Sequence, residues 1–215
     1  MNFQSVIASY FDVISTGNYS NLHQIDLNLL ELAASESLTE DFLFHPLIHT
    51  FDGLVLDDAD TSNHHILLRR SPFEGYILYL SHDDRSKIVF SSLVELLHAA
   101  DEAKITNKPL SELHPLVSPH EMEQKALSYL VRSLVKETDD DIEIALALIP
   151  SMDLLDIELL TELAKHDDFF VAEIVGDEIA KRPFLALQQV ALLCSQHPHS
   201  QAAKAGVRAL QAIGL

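Results

Sequence analysis

The N-terminal part of the chain has a helical pattern of apolar positions. In residues 1–16 the apolar side chains recur every three or four positions, which predicts one helix with a single apolar face. Gly17 suits the end of that helix, because glycine adopts the left-handed conformation found there. Two shorter apolar stretches predict helices over residues 27–34 and 38–44, and Pro46 ends the pattern.

From Phe51 onward the apolar positions change to the period of a β-strand. Short apolar runs alternate with polar segments, which predicts strands joined by tight connections. The predicted strands cover residues 54–56, 64–69, 76–80 and 88–90. The run Tyr76–Leu80 is apolar at every position, as is typical of a strand covered on both faces.

A capping-box pattern follows the last predicted strand. Ser92 stands three residues before Glu95, so a helix is expected to begin there. Its predicted buried face carries Leu93, Leu96 and Leu97. Consecutive strands with short connections form an antiparallel meander, and residues 1–107 are therefore predicted to be an α+β domain with flanking helices on the sheet.

The second half of the chain is helical in pattern throughout. Residues 104–119 contain several prolines without a clear period and are interpreted as a connector. Ser118, Pro119 and Glu121 form a strong helix start, with a cap, a proline at the first helical position and an acid to close the box. The predicted helices cover residues 118–136, 138–149, 153–165, 168–181, 184–196 and 200–213. We thus expect an all-α domain over residues 108–215.

The last predicted helix has a composition that suggests a repeat. Its sequence AAKAGVRALQAIG, residues 202–214, resembles the second helix of HEAT-type repeats, where small residues allow close helix packing. That resemblance implies a short stack of helix pairs. Similar residue pairs recur at offsets of 27 and 31 residues, so periodicity alone leaves an irregular bundle equally open.

Charge narrows the classes of partner. The formal net charge is −19 and is spread over the chain, with 16 acidic and 5 basic residues up to residue 107 and 17 and 9 after it. Such a field repels nucleic acid and anionic membranes and attracts basic proteins. The single cysteine, Cys194, lies in an apolar run and is expected to be a buried free thiol. With no signal-peptide pattern and no apolar run of membrane-spanning length, we expect a cytoplasmic protein.

Sequence patterns for catalysis or metal binding are weak. Ser81, His82 and Asp83 spell the letters of a hydrolase triad, but consecutive strand residues point to opposite sides. The segment 57–63 is acidic like a calcium loop, yet it lacks the required glycine and the final glutamate. The 12 histidines leave open a site assembled from distant residues, for example His65 with His82. No catalytic residue, metal ligand or cofactor is predicted.

Residues 75–100, GYILYLSHDDRSKIVFSSLVELLHAA, carry a resemblance to a known family. A hydrophobic strand, a His-Asp turn, a short strand ending in Phe and a Ser-Leu helix start resemble the SUKH superfamily. Residues 64–69 and 72–75 also resemble its strand and loop, so the likeness covers roughly residues 50–100. The superfamily includes cell-wall-assembly regulators and bacterial immunity proteins against polymorphic toxins. The chain departs from it by having no Trp and by its helical second half.

The resemblance and the charge together favour a non-catalytic protein-binding module, such as an immunity protein that neutralises a basic toxin domain. The predicted contact residues are the acidic loop residues Asp57, Asp58, Asp60, Asp83 and Asp84. Two alternatives remain at this point. One is a helical-repeat scaffold in which residues 118–215 bind the partner, and the other is an enzyme or metalloprotein that uses scattered histidines.

Overall fold

The computed structural model describes residues 2–120 and 123–214. The chain divides after Pro119 into two compact units, which are called here the N-terminal unit and the C-terminal unit. The sequence placed this division after residue 107. The 3-10 turn Leu110–Leu113 lies in the N-terminal unit because Leu110 is fully buried in its hydrophobic core.

The N-terminal unit contains a four-stranded antiparallel sheet in the order β1-β2-β3-β4. The strands are β1 (Leu54–Val55), β2 (His64–Leu67), β3 (Ile77–Leu80) and β4 (Lys87–Phe90). Each strand pairs with the next one along the chain, as the alternating apolar runs predict. Together with the helices, this meander confirms the predicted α+β class.

The described residues of the N-terminal unit form four α-helices beside the sheet. They are α1 (Phe3–Ile14), α2 (Leu32–Asp41), α3 (Pro46–Phe51) and α4 (Leu93–Thr106). Helix α4 begins as the capping pattern predicts, since Ser92 Oγ accepts from Glu95 N–H at 3.2 Å. The Glu95 carboxylate accepts from the N–H of Ser91, one residue earlier than in the standard capping box.

The predicted helices over 27–34 and 38–44 are wrong. Residues 28–30 are extended: Leu30 N–H donates to Leu56 O at 2.8 Å, and Asp58 N–H donates to Asn28 O at 3.1 Å. One helix, α2, covers residues 32–41 instead. Leu27 and Leu29 are buried two residues apart, so their spacing fits an extended segment better than a helix.

The C-terminal unit is helical. Its helices are α5 (Gln124–Leu134), α6 (Asp139–Leu148), α7 (Ile157–Leu163), α8 (Phe169–Lys181), α9 (Gln188–Ser195) and α10 (Ser200–Ile213). The described part of the first helix begins at Gln124, later than predicted, and Glu121 of the predicted start lies outside the described residues. No helix in the described part of the chain is long and apolar enough to cross a membrane.

Two histidines hold the turns of the C-terminal unit in the same way. The Nε2–H group of His166 donates to Val135 O at 2.8 Å, and that of His197 donates to His166 O at 3.1 Å, in both cases across 31 residues. The Nδ1 atom of each ring accepts an N–H group two residues ahead. Helices α8 and α10, which follow these turns, also begin 31 residues apart. The unit therefore repeats with this spacing over its last two turns.

Candidate functional site

The two acidic loops lie at the same end of the sheet. Residue His64 opens β2 and pairs with Leu80 at the end of β3, so the loop before β2 and the loop after β3 are neighbours. Asn63 Oδ1 accepts from the N–H of His82 at 2.8 Å and joins the two loops directly. The antiparallel register thus brings together residues that are distant in the sequence.

Four of the predicted contact residues are accessible at this end. Asp60, Asp83 and Asp84 are exposed, and Asp58 is half-buried. Asp60 contacts His23, with 3.2 Å between Oδ2 and Nδ1. We call these four residues, Asp58, Asp60, Asp83 and Asp84, the acidic loop face.

Asp57 is not part of the acidic loop face. Its side chain is only 4% exposed, because residue 57 bridges Leu29 in extended structure and its carboxylate lies inside the unit. Oδ1 accepts from His65 N–H at 2.7 Å, and Oδ2 accepts from His65 Nδ1 at 2.5 Å. The predicted partner contact therefore does not fit Asp57, whose carboxylate fixes the start of β2.

A second imidazole meets His65 on the side away from Asp57. The Nε2 atoms of His65 and His114 are 2.9 Å apart, so one ring donates a hydrogen bond and the other accepts. Residue His114 follows the 3-10 turn, 49 residues along the chain from His65. The rings of Tyr79 and Phe90 surround the pair, with centroids 4.5 and 5.6 Å from that of His114.

Burial acts on the protonation of His114. It lowers the pKa of His114 to about 3, with further contributions from the neighbouring charges of His65 and Lys87. His114 is therefore a neutral imidazole at neutral pH. Burial and the nearby Asp57 carboxylate also raise the pKa of Tyr10, whose hydroxyl is buried without a hydrogen-bond partner among the described residues.

Tyr79 stands among the carboxylates of the site. Burial raises its pKa first, and the charges of Asp57, Asp26 and Asp84 raise it further, while a hydrogen bond with Asn63 acts in the opposite direction. Three acids thus act on one phenol. The cleft beside Tyr79 is lined by Asp83 and Asp84 together with the basic residues Arg85 and Lys87.

Two cavities meet beside Tyr79. The smaller one has a volume of about 80 Å³ and is lined by Asp57 and His65, among others. The larger one, of about 480 Å³, is lined by His114 and by both Asp83 and Asp84. The side chains that line both cavities are Asn63, Tyr79 and Ser111. His65 therefore lines the smaller cavity, and His114 lines the larger cleft together with Asp83 and Asp84 of the acidic loop face.

Ser81, His82 and Asp83 do not form a catalytic triad in the structure. Ser81 Oγ accepts from the N–H of Asp84 at 3.1 Å, and the N–H of Ser81 donates to Ser86 Oγ at 3.2 Å, so the segment is a polar turn. The sequence suggested His65 and His82 as a possible distant pair, but the histidine that contacts His65 is His114. Among the described residues, no group of three or more His, Cys, Asp and Glu side chains is placed to hold a metal ion.

Comparison of the chain with protein-family models, with curated proteins and with solved structures finds no match. The resemblance to the SUKH superfamily therefore stays a prediction.

Proposed function

We propose that this protein is a non-catalytic binding module for a basic protein and that the acidic loop face is its contact surface. The observation that carries the proposal is the hydrogen bond between His82 N–H and Asn63 Oδ1, which joins the two loops. It supports the proposal because it makes the loop that carries Asp58 and Asp60 a neighbour of the loop that carries Asp83 and Asp84, and the last two residues line a cleft of about 480 Å³. A surface of this kind speeds the encounter with a cationic protein and orients it.

The SUKH resemblance suggests which basic protein this is. It implies a bacterial immunity protein in the cytoplasm, and nuclease toxin domains are basic because they bind nucleic acid. An immunity protein of this charge would cover the substrate site of such a domain. This finer assignment rests on the resemblance, whereas the basic character of the partner rests on the charge and on the placement of the two loops.

The experiment compares two variants of equal charge. Asp83→Asn with Asp84→Asn removes two charges from the acidic loop face, and Asp140→Asn with Asp167→Asn removes two from exposed positions in the C-terminal unit. Immobilised wild-type protein is used to capture partners from lysate of the source organism at low and at high salt. A captured protein is identified and purified, and its affinity for the three forms is measured.

The proposal expects weaker binding only for the loop variant, by about tenfold if roughly 1.4 kcal/mol of contact energy is lost. Binding that weakens equally in both variants would mean that the overall field acts and that the loops are not the contact. Binding that neither variant changes would contradict the proposal.

A helical scaffold is a second candidate because the C-terminal unit repeats over 31 residues. By the HEAT resemblance, a stack of helix pairs offers an extended surface for a partner. Leu155 precedes α7 and Leu185 precedes α9, and their side chains are 68% and 71% exposed. The scaffold predicts that Leu155→Ser with Leu185→Ser abolishes binding of the captured partner, while the loop variant binds normally.

A further inference from the structure

Two imidazole nitrogens from distant segments point at each other next to a solvent-connected space. His65 lies in β2 and His114 follows the 3-10 turn, and their Nε2 atoms are separated by 2.9 Å. Both rings lie against Tyr79, with centroid distances of 5.1 Å for His65 and 4.5 Å for His114.

Asp57 orients His65 as a metal ligand is usually oriented. Its carboxylate accepts the Nδ1–H of His65 and also the backbone N–H of the same residue. In the neutral ring the lone pair is then on Nε2, the atom that faces His114. Histidines that bind metals almost always donate their other N–H group in this manner, often to a carboxylate.

The distance between the two Nε2 atoms is close to the distance between two imidazole nitrogens that bind one metal ion. With zinc–nitrogen bonds of about 2.0–2.1 Å, two imidazoles on a tetrahedral ion stand about 3.3 Å apart. The rings must therefore separate by roughly 0.4 Å, a small shift for His114, which lines the open cleft and is only partly buried.

We propose that His65 and His114 bind one divalent ion of the zinc class, with Asp57 as the residue that positions His65. On binding, the proton leaves His114 Nε2, and the neutral ring of His114 carries its proton on Nδ1 instead. Imidazole ligands suit zinc, copper and nickel rather than calcium or magnesium. Because no third His, Cys, Asp or Glu side chain converges with them in the described part of the chain, water from the two adjoining cavities completes the coordination. The bound ion is consequently exchangeable. This proposal is independent of the protein-binding function.

The test uses full-length protein without a histidine tag, freed of metal and titrated with Zn²⁺ in a calorimeter. His114→Gln removes one ligand from the cleft side, and His82→Gln is the matched control at an exposed position on the same end of the sheet. Circular dichroism confirms that each variant is folded. We expect one Zn²⁺ per wild-type chain, at least tenfold weaker binding in His114→Gln, and wild-type binding in His82→Gln.

A second measurement needs no variant. Nitrogen NMR of the histidine side chains in the wild-type protein identifies the rings that bind Zn²⁺, and we expect the Nε2 signals of His65 and His114 to shift first. Absence of binding, equal affinity in all three proteins, or shifts confined to other histidines such as His197 and His199 would each overturn the proposal.

Discussion

Gly206 of α10 lies directly against the backbone of Ser195 at the end of α9. A Cβ atom at residue 206 would stand 2.1 Å from Ser195 N and 2.5 Å from Cys194 C, which are main-chain atoms that no rotamer change can move. The close approach of these two helices therefore depends on the absence of a side chain at this position.

Gly206→Ala is expected to lower the free energy of unfolding by about 1–3 kcal/mol or more, although alanine is the better helix former. Chemical denaturation followed by circular dichroism measures the change. Ala212→Ser, at an exposed position of the same helix, is the control and is expected to change stability by about 0.5 kcal/mol or less. A wild-type midpoint for Gly206→Ala would contradict the close packing.

His166→Ala and His197→Ala each remove one hydrogen bond to a carbonyl 31 residues away and one from a nearby amide. At about 0.5–1.5 kcal/mol for each bond, the expected loss of stability is about 1–3 kcal/mol for each variant. Thermal unfolding measures it, with the exposed His82→Ala as the control. If the two variants unfold at the same temperature as the control, these hydrogen bonds do not stabilise the turns.

Thr39→Val tests the contact between α2 and β1. The hydroxyl of Thr39 accepts from Val55 N–H at 2.9 Å, and valine would leave that buried donor without its acceptor. We expect a loss of about 1–3 kcal/mol in the free energy of unfolding. Thr39→Ser keeps the hydroxyl and should lose clearly less, so equal losses in the two variants would assign the effect to packing instead.

Asp57→Asn and Asp58→Asn compare the contributions of a buried carboxylate and of its neighbour at the surface to the free energy of unfolding. Asparagine at residue 57 cannot accept from both His65 groups with the strength of a carboxylate, so a loss of about 1.5–3 kcal/mol is expected. The change at half-buried Asp58 should be about 0.5 kcal/mol or less. Urea denaturation of the two variants measures the difference, and similar values would contradict the buried role of Asp57.

Cys194 should be unreactive in the folded protein. Burial raises the pKa of its thiol to about 12, so the reactive thiolate is scarce and reagents cannot reach it. An aromatic disulfide reagent is expected to label the protein only as fast as it unfolds, with a rate that rises with urea concentration. Rapid stoichiometric labelling without denaturant would show that the helix α9 opens readily.

The sheet could be predicted from the sequence because every strand has its own apolar run with polar turns on both sides. The helix prediction around Leu27 and Leu29 was wrong because a short leucine-rich run is compatible with both a helix and an extended chain. Helix α3 was missed because Pro46 was interpreted as a breaker, whereas it occupies the first helical turn after the cap residue His45. Short helices of this kind have too few apolar positions to show a period.

The proximity of the loops containing Asp60 and Asp83 is a consequence of the predicted hairpins, since antiparallel neighbours bring alternate connections to the same end. The contact between His65 and His114 has no such signal. It joins a strand to a segment interpreted as a connector, across 49 residues. The two rings come together only because the 3-10 turn packs inside the N-terminal unit.

Two side chains of α2 occupy backbone groups at the edge of the sheet that another chain could otherwise bind. The outward N–H group of Val55 donates to Thr39, and its C=O group accepts from Ser35 Oγ. An exposed edge strand normally offers such groups to a strand from another chain, which leads to aggregation or to recognition by strand addition. Since both groups are already occupied, Val55 offers no free backbone group to an additional strand, and β1 does not serve as an edge for strand addition at this residue.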